Sequence, residues 1–163
     1  MDFVSTEAVG FDLVVLNPPL VFGPIPRHLT SLDGLNTSNH RIRDLATGRS
    51  QEMLSPTGPV YIFADVRDVA DAHVRALEVA EAGGQRFFIV GGYFSNKRLA
   101  DAIRASHPTL ATKLPSENAP DDMPQDVYGW DNSKSRRVLG MRYRGLGQCV
   151  ADTVDSILAM GST

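Results

Sequence analysis

Tyr93 and Lys97 have the spacing with the most obvious chemistry in this sequence, a Tyr-x-x-x-Lys pair. When both residues lie on one helix, the lysine lowers the pKa of the tyrosine, and the phenol can then pass a proton to a carbonyl. Here Tyr93 follows Gly91-Gly92 and precedes Ser95, a favoured helix N-cap. The pair therefore straddles a loop and a helix start. Because a motif needs its structural context, the sequence argues against a catalytic role for this pair.

Two other patterns resemble reactive or cofactor-binding motifs without their context. Gly145-Leu-Gly147 resembles the start of a dinucleotide fingerprint, but Val150 stands where the third small residue belongs and no convincing strand precedes it. We interpret this stretch as a turn before the last helix. Cys149 has no base adjacent in sequence, so a structural cysteine is the better interpretation.

The titratable residues form no recognisable ligand set, and no metal site is predicted. His28, His40 and His107 lack metal-ligand spacing. His73 and Leu77 fall on the apolar face of a predicted helix, which predicts that both pack in the core and argues against catalysis by His73. Asp65 is explained as a helix N-cap, a role that needs no second carboxylate.

The composition bounds the class of protein. The 163 residues are 42% hydrophobic and 21% charged, with a net charge of −3, so the chain lacks the basic surface typical of nucleic-acid binding. No apolar run is long enough to span a membrane, and the first residues lack the pattern of a signal peptide. A single cysteine favours a reducing compartment. We expect a cytoplasmic protein without nucleic-acid or membrane partners.

The periodicity of apolar residues predicts an α/β protein, with strands and helices alternating along the chain. Strands are predicted at 11–16, 59–63 and 86–90. Helices are predicted at about 36–47, 65–81, 96–106, 133–139 and 146–160. Three short strands are few for an α/β sheet, so another chain or a missing segment is expected to complete it.

The strand at 11–16 leads into a stiff loop, Asn17-Pro-Pro-Leu-Val-Phe-Gly-Pro24. Proline cannot donate a backbone hydrogen bond, so strand pairing should end at Pro18. The Gly23-Pro24 dipeptide predicts a second turn. Ligand sites of α/β proteins lie at the carboxyl ends of strands. We therefore expect the candidate site in this loop.

Several stretches, in a consistent order along the chain, resemble one family. They are Phe11–Leu16 with Asn17–Pro24, Leu35–Ser38, Tyr61–Leu77, Gln85–Val90, Asp131–Ser135 and Val138–Gly140. Together they resemble the extended short-chain dehydrogenase/reductases of the NAD-dependent epimerase/dehydratase superfamily. Within it, the sequence is most similar to the dihydroflavonol-4-reductase-like and methylglyoxal-reductase-like ketoreductases of fungi and plants.

The resemblance implies the C-terminal part of a Rossmann-type fold with its small substrate-binding lobe. Met1-Asp2-Phe3 resembles the end of the helix that carries the family's catalytic tyrosine and lysine, so the resemblance assigns no catalytic residue to this chain. It implies NADP as cofactor, contacted by Pro18, Val21 and Ser38. It also implies a small carbonyl substrate, walled by Leu20 and Phe22.

The same resemblance predicts one incomplete domain. Residues 1–24 and 59–82 would be remaining Rossmann elements, 25–58 and 84–145 mainly substrate-lobe segments, and 146–160 a terminal helix. The expected function is that of a truncated NADP-dependent carbonyl reductase, inactive alone. Two alternatives stay open: a non-catalytic interaction module, with an exposed sheet edge that could also support self-association, and a fragment of a sugar-nucleotide epimerase.

Overall fold

The computed structural model describes residues 10–26, 29, 31–52 and 54–160. Its elements confirm the predicted α/β class. The strands are β1 (Val15–Asn17), β2 (Leu20–Phe22), β3 (Ile62–Asp65), β4 (Arg86–Phe88) and β5 (Gly92–Tyr93). The α-helices are α1 (His40–Ala46), α2 (Val66–Glu78), α3 (Asn96–Ser106), α4 (Ser133–Val138) and α5 (Leu146–Met160), and short 3-10 helices lie at Leu32–Gly34, Thr37–Asn39, Ala80–Ala82 and Pro108–Lys113.

The strands form two small sheets. β1 and β4 pair in parallel, with Leu16 opposite Phe87. β2 pairs in parallel with β3, and β3 pairs antiparallel with β5. The sequence predicted neither β2 nor β5, because the prolines before Leu20 were expected to end all pairing. They end β1, but the chain then pairs again on a different strand.

Two apolar clusters hold these elements together. The larger joins β2, β3 and helices α1, α3 and α5, with Phe22, Phe63 and Phe94 at its centre. The smaller joins β4 and α2 to the segment after α4, through Ala72, Phe87 and other residues. Phe22 stacks on Phe63 with 6.0 Å between ring centroids and meets Phe94 edge-on at 4.9 Å. The loop that carries the candidate site is thus anchored by a core aromatic residue.

Helix α2 follows its predicted start but not its predicted face. Asp65 caps it as expected, since its side chain accepts a hydrogen bond from the Arg67 backbone N–H. The placement of His73 and Leu77 in the core was wrong: His73 is exposed, and Leu77 is 90% exposed. Helix α2 packs on the smaller cluster through Ala72 and Val69, whereas Val74 and Leu77 remain exposed.

The helices in the C-terminal half of the chain lie close to their predicted bounds. Ser95 caps α3 by accepting a hydrogen bond from the Arg98 backbone N–H, and α5 has the predicted bounds, Leu146–Met160. None of the described helices is long and apolar enough to cross a membrane. The similarity assigned to Met1-Asp2-Phe3 lies outside the described residues.

Candidate functional site

The candidate site lies where β2 and β3 end side by side. Phe22 is paired with Asp65 at the carboxyl ends of these parallel strands, so the segments that follow them share one edge of the sheet. Gly23 and Pro24 continue from β2, and Val66 begins α2 after β3. These residues border a cleft of about 310 Å³. The cleft is lined by Val21, Phe22, Gly23, Pro24, Ile25, Pro26, Leu29, Gly34, Leu35, Asn36, Asn39 and Val66.

Asn39 fixes the turn at the base of the cleft. Its carboxamide oxygen accepts a hydrogen bond from the Gly23 backbone N–H at 3.3 Å, and its carboxamide nitrogen donates one to the Gly23 carbonyl at 2.9 Å. Asn39 is 5% exposed, so both bonds are shielded from water. The side chain replaces the strand partner that Gly23 lacks.

The turn also requires a glycine. Gly23 has φ of +141°, a conformation that side-chain-bearing residues rarely adopt. A Cβ at this position would lie 2.5 Å from Val66 Cγ1 and 3.1 Å from the Val66 backbone nitrogen. The β2 turn and the start of α2 therefore approach each other more closely than any other residue type allows.

Asn36 holds the opposite side of the loop. Its carboxamide nitrogen donates a hydrogen bond to the Val21 carbonyl at 2.9 Å, in a more exposed position than Asn39. Together Asn36, just before the 3-10 helix Thr37–Asn39, and Asn39, at its end, link this segment to β2 and to the turn that follows β2. Sequence reasoning assigned neither Asn39 nor Val66 to the candidate site, because the residues they contact lie far along the chain and leave no local pattern.

The predicted site residues do not all meet in this cleft. Val21 and Phe22 line it, although the ring of Phe22 is fully buried in the core. Leu20 is half-buried and packs against the larger apolar cluster. Pro18 is exposed and Ser38 half-buried, and neither belongs to the cleft lining. The cofactor roles of Pro18, Val21 and Ser38 and the substrate roles of Leu20 and Phe22 stay predictions.

The described lining of the cleft is suited to orienting a ligand and supplies no group for proton transfer. Among the residues that the structure describes, its lining consists of apolar side chains, glycines, prolines and two carboxamides, with no titratable group. The carboxamide of Asn39 is already engaged with Gly23 on both its oxygen and its nitrogen. Such a surface fits the face of a flat, largely apolar group. Acid–base chemistry beside this cleft would require groups from elsewhere.

A second cavity lies behind the same turn and supplies polar groups. It has a volume of about 320 Å³. Thr37, His40 and Arg41 line it, so successive residues of this turn face two different cavities. The Arg41 guanidinium donates to the carbonyl of Thr57 at 3.2 Å and to the Asn96 side chain at 3.1 Å. Arg41 thereby connects the turn to helix α3 and to the loop before β3.

Charged residues behind the site brace β3 and α2 against the C-terminal helix. The fully buried Asp65 carboxylate accepts hydrogen bonds from Arg67 at 2.7 and 2.9 Å, and Arg67 also bonds Asp152 of α5 at 2.6 Å. Burial raises the pKa of Asp65, but the hydrogen bonds from Arg67 more than offset this, and the pKa lies below its ordinary value. A further ion pair joins Asp68 to Arg144.

The other reactive side chains are engaged structurally. The Tyr93 hydroxyl donates to the Tyr128 carbonyl at 2.8 Å, and Lys97 pairs with Asp101 at 2.6 Å on α3. Lys97 lies at the start of α3 as predicted, whereas Tyr93 lies on β5 and not in the predicted loop, so the two residues do not share a helix. Cys149 is buried, and burial together with the Asp65 carboxylate raises the pKa of its thiol. Among the described residues, no group of three or more His, Cys, Asp or Glu side chains could hold a metal ion.

Comparison with known proteins identifies the family. Residues 4–91 match the NAD dependent epimerase/dehydratase family. Because this match spans more than half of the 163 residues, the chain belongs to this family. It is 57% identical over 157 residues to Ketoreductase azaE of Aspergillus niger, covering 96% of this chain and 46% of that protein. It is 30% identical over 156 residues to the NADPH-dependent methylglyoxal reductase GRE2 of Saccharomyces cerevisiae, covering 94% and 45% respectively.

A solved structure gives the same result. Gre2 from Candida albicans, in complex with NADPH, superposes with a TM-score of 0.84 at 34% identity, covering 98% of this chain and 47% of that one. The fold therefore corresponds to the C-terminal half of Gre2-type reductases. The chain spans about half the length of the curated relatives it matches.

Proposed function

We propose that this chain forms the ligand-orienting half of an NADPH-dependent carbonyl reductase. In such a reaction, hydride passes from the nicotinamide to a ketone or aldehyde carbon, and a proton is delivered to the oxygen. The Asn39-fixed turn and the wall around Val21 and Val66 would hold the nicotinamide face and the carbonyl in register. The reductases it resembles, including the Candida Gre2 bound to NADPH, support this assignment.

One observation carries the proposal: the cleft is preformed and largely apolar, and its described lining residues include no titratable group. A surface of this kind positions a cofactor ring but leaves proton transfer to groups outside it. We therefore propose that the chain is inactive alone and that the acid and the phosphate-binding loop come from the other half of a reductase. In the same proposal, Pro18 and Ser38 contact the cofactor, and Leu20 forms part of the wall around the substrate.

A chimera tests this function directly. The corresponding half of Ketoreductase azaE is replaced by residues 10–160 of this chain, and NADPH oxidation is followed with a panel of ketones and aldehydes. We expect turnover with at least one carbonyl compound. A folded chimera that oxidises no NADPH with any of them would contradict the proposal.

A matched pair of variants locates the site within the chimera. Val21→Phe fills the cleft, whereas Val127→Phe adds the same volume at a half-buried position outside it. We expect Val21→Phe to lower kcat/KM by about tenfold or more, equivalent to about 1.4 kcal/mol of transition-state stabilisation. Val127→Phe should leave kcat/KM nearly unchanged. Equal losses in both variants would place the site elsewhere.

The sugar-nucleotide alternative is tested in the same chimera by offering a UDP-sugar and NAD⁺.

The interaction-module alternative is favoured by a separate observation, the exposed apolar residues beside β1.

A further inference from the structure

A further cavity lies between the loop that precedes β3 and the loop that follows the 3-10 helix Pro108–Lys113. It has a volume of about 420 Å³, which is within the range of small-ligand sites. Among the described residues, it shares no lining residue with the candidate cleft beside β2. The cavity is lined by Glu52, Leu54, Ser55, Pro56, Pro115, Ser116, Ala119, Pro120 and Asp122.

Hydrogen bonds join the two loops at this cavity. The Asp122 carboxylate accepts one from the Thr57 backbone N–H and one from the Thr57 hydroxyl, both at 2.6 Å. The Thr57 hydroxyl in turn accepts a hydrogen bond from the Asn96 backbone N–H at 2.8 Å, and Thr57 is fully buried. The Asn96 carboxamide also donates to the Ser55 carbonyl at 2.7 Å. The walls are therefore held in position without a ligand, which lowers the ordering cost of binding.

Most of the wall is apolar. Five of its residues have apolar side chains: Leu54, Pro56, Pro115, Ala119 and Pro120. Proline and alanine side chains lose little conformational entropy when a ligand covers them. An apolar group that enters the cavity removes its own surface and this wall from water, and this burial favours binding.

The charge in the cavity is negative. The charged groups among its described lining residues are the carboxylates of Glu52 and Asp122, and neither forms an ion pair with a described residue. The groups that bond Asp122 belong to Thr57 and are neutral. Residues 114–131 contain five carboxylates and no lysine, arginine or histidine. A ligand with a positive charge is therefore attracted to this cavity, and an anion of the same shape is repelled.

We propose that this cavity binds a small amine with an apolar body. The body lies against Leu54 and the prolines, and the ammonium group donates hydrogen bonds to the carboxylates of Glu52 and Asp122. The oxygens of Asp122 can accept these bonds in addition to those from Thr57, because a carboxylate has about four acceptor positions. The inference goes beyond the proposed function, since this cavity is separate from the cleft and its ligand binds without NADPH.

Three probes of one shape test the charge preference of the cavity. They are 2-naphthylmethylamine, 2-naphthylmethanol and 2-naphthoate, each titrated into the whole chain at pH 7 by isothermal titration calorimetry. We expect the amine to bind about tenfold more tightly than the carboxylate, with the alcohol between them. A carboxylate that binds as tightly as the amine, or an amine that does not bind, would overturn the proposal.

A matched pair of glutamine variants tests the role of Glu52. Glu52→Gln should weaken binding of the amine by about threefold, the effect of one partly exposed ion pair, and leave binding of the alcohol nearly unchanged. Glu81→Gln is the control, because Glu81 is exposed on the 3-10 helix Ala80–Ala82 and does not line the cavity. Equal effects of the two substitutions on the amine would contradict the proposed contact.

A second pair of variants locates the bound probe. Ala119→Phe fills the cavity and should abolish binding of the amine, whereas Ala111→Phe adds the same side chain at an exposed position outside it. Thermal unfolding followed by circular dichroism identifies the variants that fold, and the glutamine pair decides the proposal if Ala119→Phe does not. Full binding to a folded Ala119→Phe would place the amine elsewhere. A chimera that binds the amine but oxidises no NADPH would contradict the proposed function and leave this site intact.

Discussion

The Asn39 carboxamide binds the backbone of Gly23 through both the N–H and the carbonyl, sixteen residues away in sequence. This contact lets the chain leave β2 without a strand partner and still satisfy its buried backbone groups. It also sets the distance between the turn and Val66 at the start of α2. The shape of the candidate cleft thus depends on one buried side chain.

Replacing Asn39 should therefore destabilise the chain more than replacing Asn36. Asn39→Ala leaves two buried backbone groups of Gly23 unpaired, which should lower the free energy of unfolding by about 2–4 kcal/mol. Asn36→Ala removes one more exposed hydrogen bond to Val21 and should cost about 0.5–1 kcal/mol. Denaturant unfolding followed by circular dichroism measures both. Similar losses would show that the Gly23 contacts carry little stability.

Gly23→Ala should lower the free energy of unfolding more than Gly84→Ala, although both glycines have a positive φ. Gly23→Ala combines an unfavourable backbone conformation with a contact of 2.5 Å to Val66, and should cost about 3 kcal/mol or more. Gly84→Ala has φ of +69° but meets no atom within 4 Å, so it should cost only about 1 kcal/mol. Thermal melting measures both losses, and the loss for Gly23→Ala combines the strain at φ of +141° with the contact to Val66. Equal melting temperatures would mean that Val66 moves aside freely.

Local chemistry in the sequence was sufficient to predict most helix ends. Asp65 and Ser95 each cap a helix through a side-chain oxygen that accepts a backbone hydrogen bond, as their residue types indicate. A strand before the proline loop was likewise predicted, but its bounds of 11–16 were wrong: the strand is Val15–Asn17 and is only half-buried. These features depend on neighbours within a few residues, which a sequence displays directly.

Features that depend on distant residues were missed or misassigned. The prolines before Leu20 predicted an end to strand pairing, so β2 was missed. Its pairing with β3 depends on the tertiary fold and leaves no local pattern in the sequence. The helical spacing of Leu77 indicated a core position, but spacing cannot tell which segment covers the helix. In the described residues nothing covers Leu77. The cleft depends on Asn39, which no local motif distinguishes from other asparagines.

Cys149 should be unreactive in the folded chain. It is fully buried, and burial together with the Asp65 carboxylate raises the pKa of the thiol, so the reactive thiolate is scarce at neutral and mildly alkaline pH. Mass spectrometry after iodoacetamide treatment at pH 8 should find no modification of the folded chain and complete modification in denaturant. Rapid labelling without denaturant would show that α5 opens readily near Asp65.

Asp65 should make the stability of the chain sensitive to acid. Its pKa in the folded chain lies below the ordinary value of 3.8, because the hydrogen bonds from Arg67 outweigh the effect of burial. Above 3.8 the carboxylate is ionised in both states and its ion pair contributes fully. As the pH falls below 3.8, the unfolded chain takes up a proton first, so this contribution is lost progressively through the lowered folded pKa. Asp65→Asn preserves a capping oxygen but removes the titration, so the variant should be less stable at pH 7 and lose less further stability between pH 5 and pH 3. Denaturant midpoints at those pH values test this, and parallel acid-side losses in the two proteins would show that other carboxylates control the acid response.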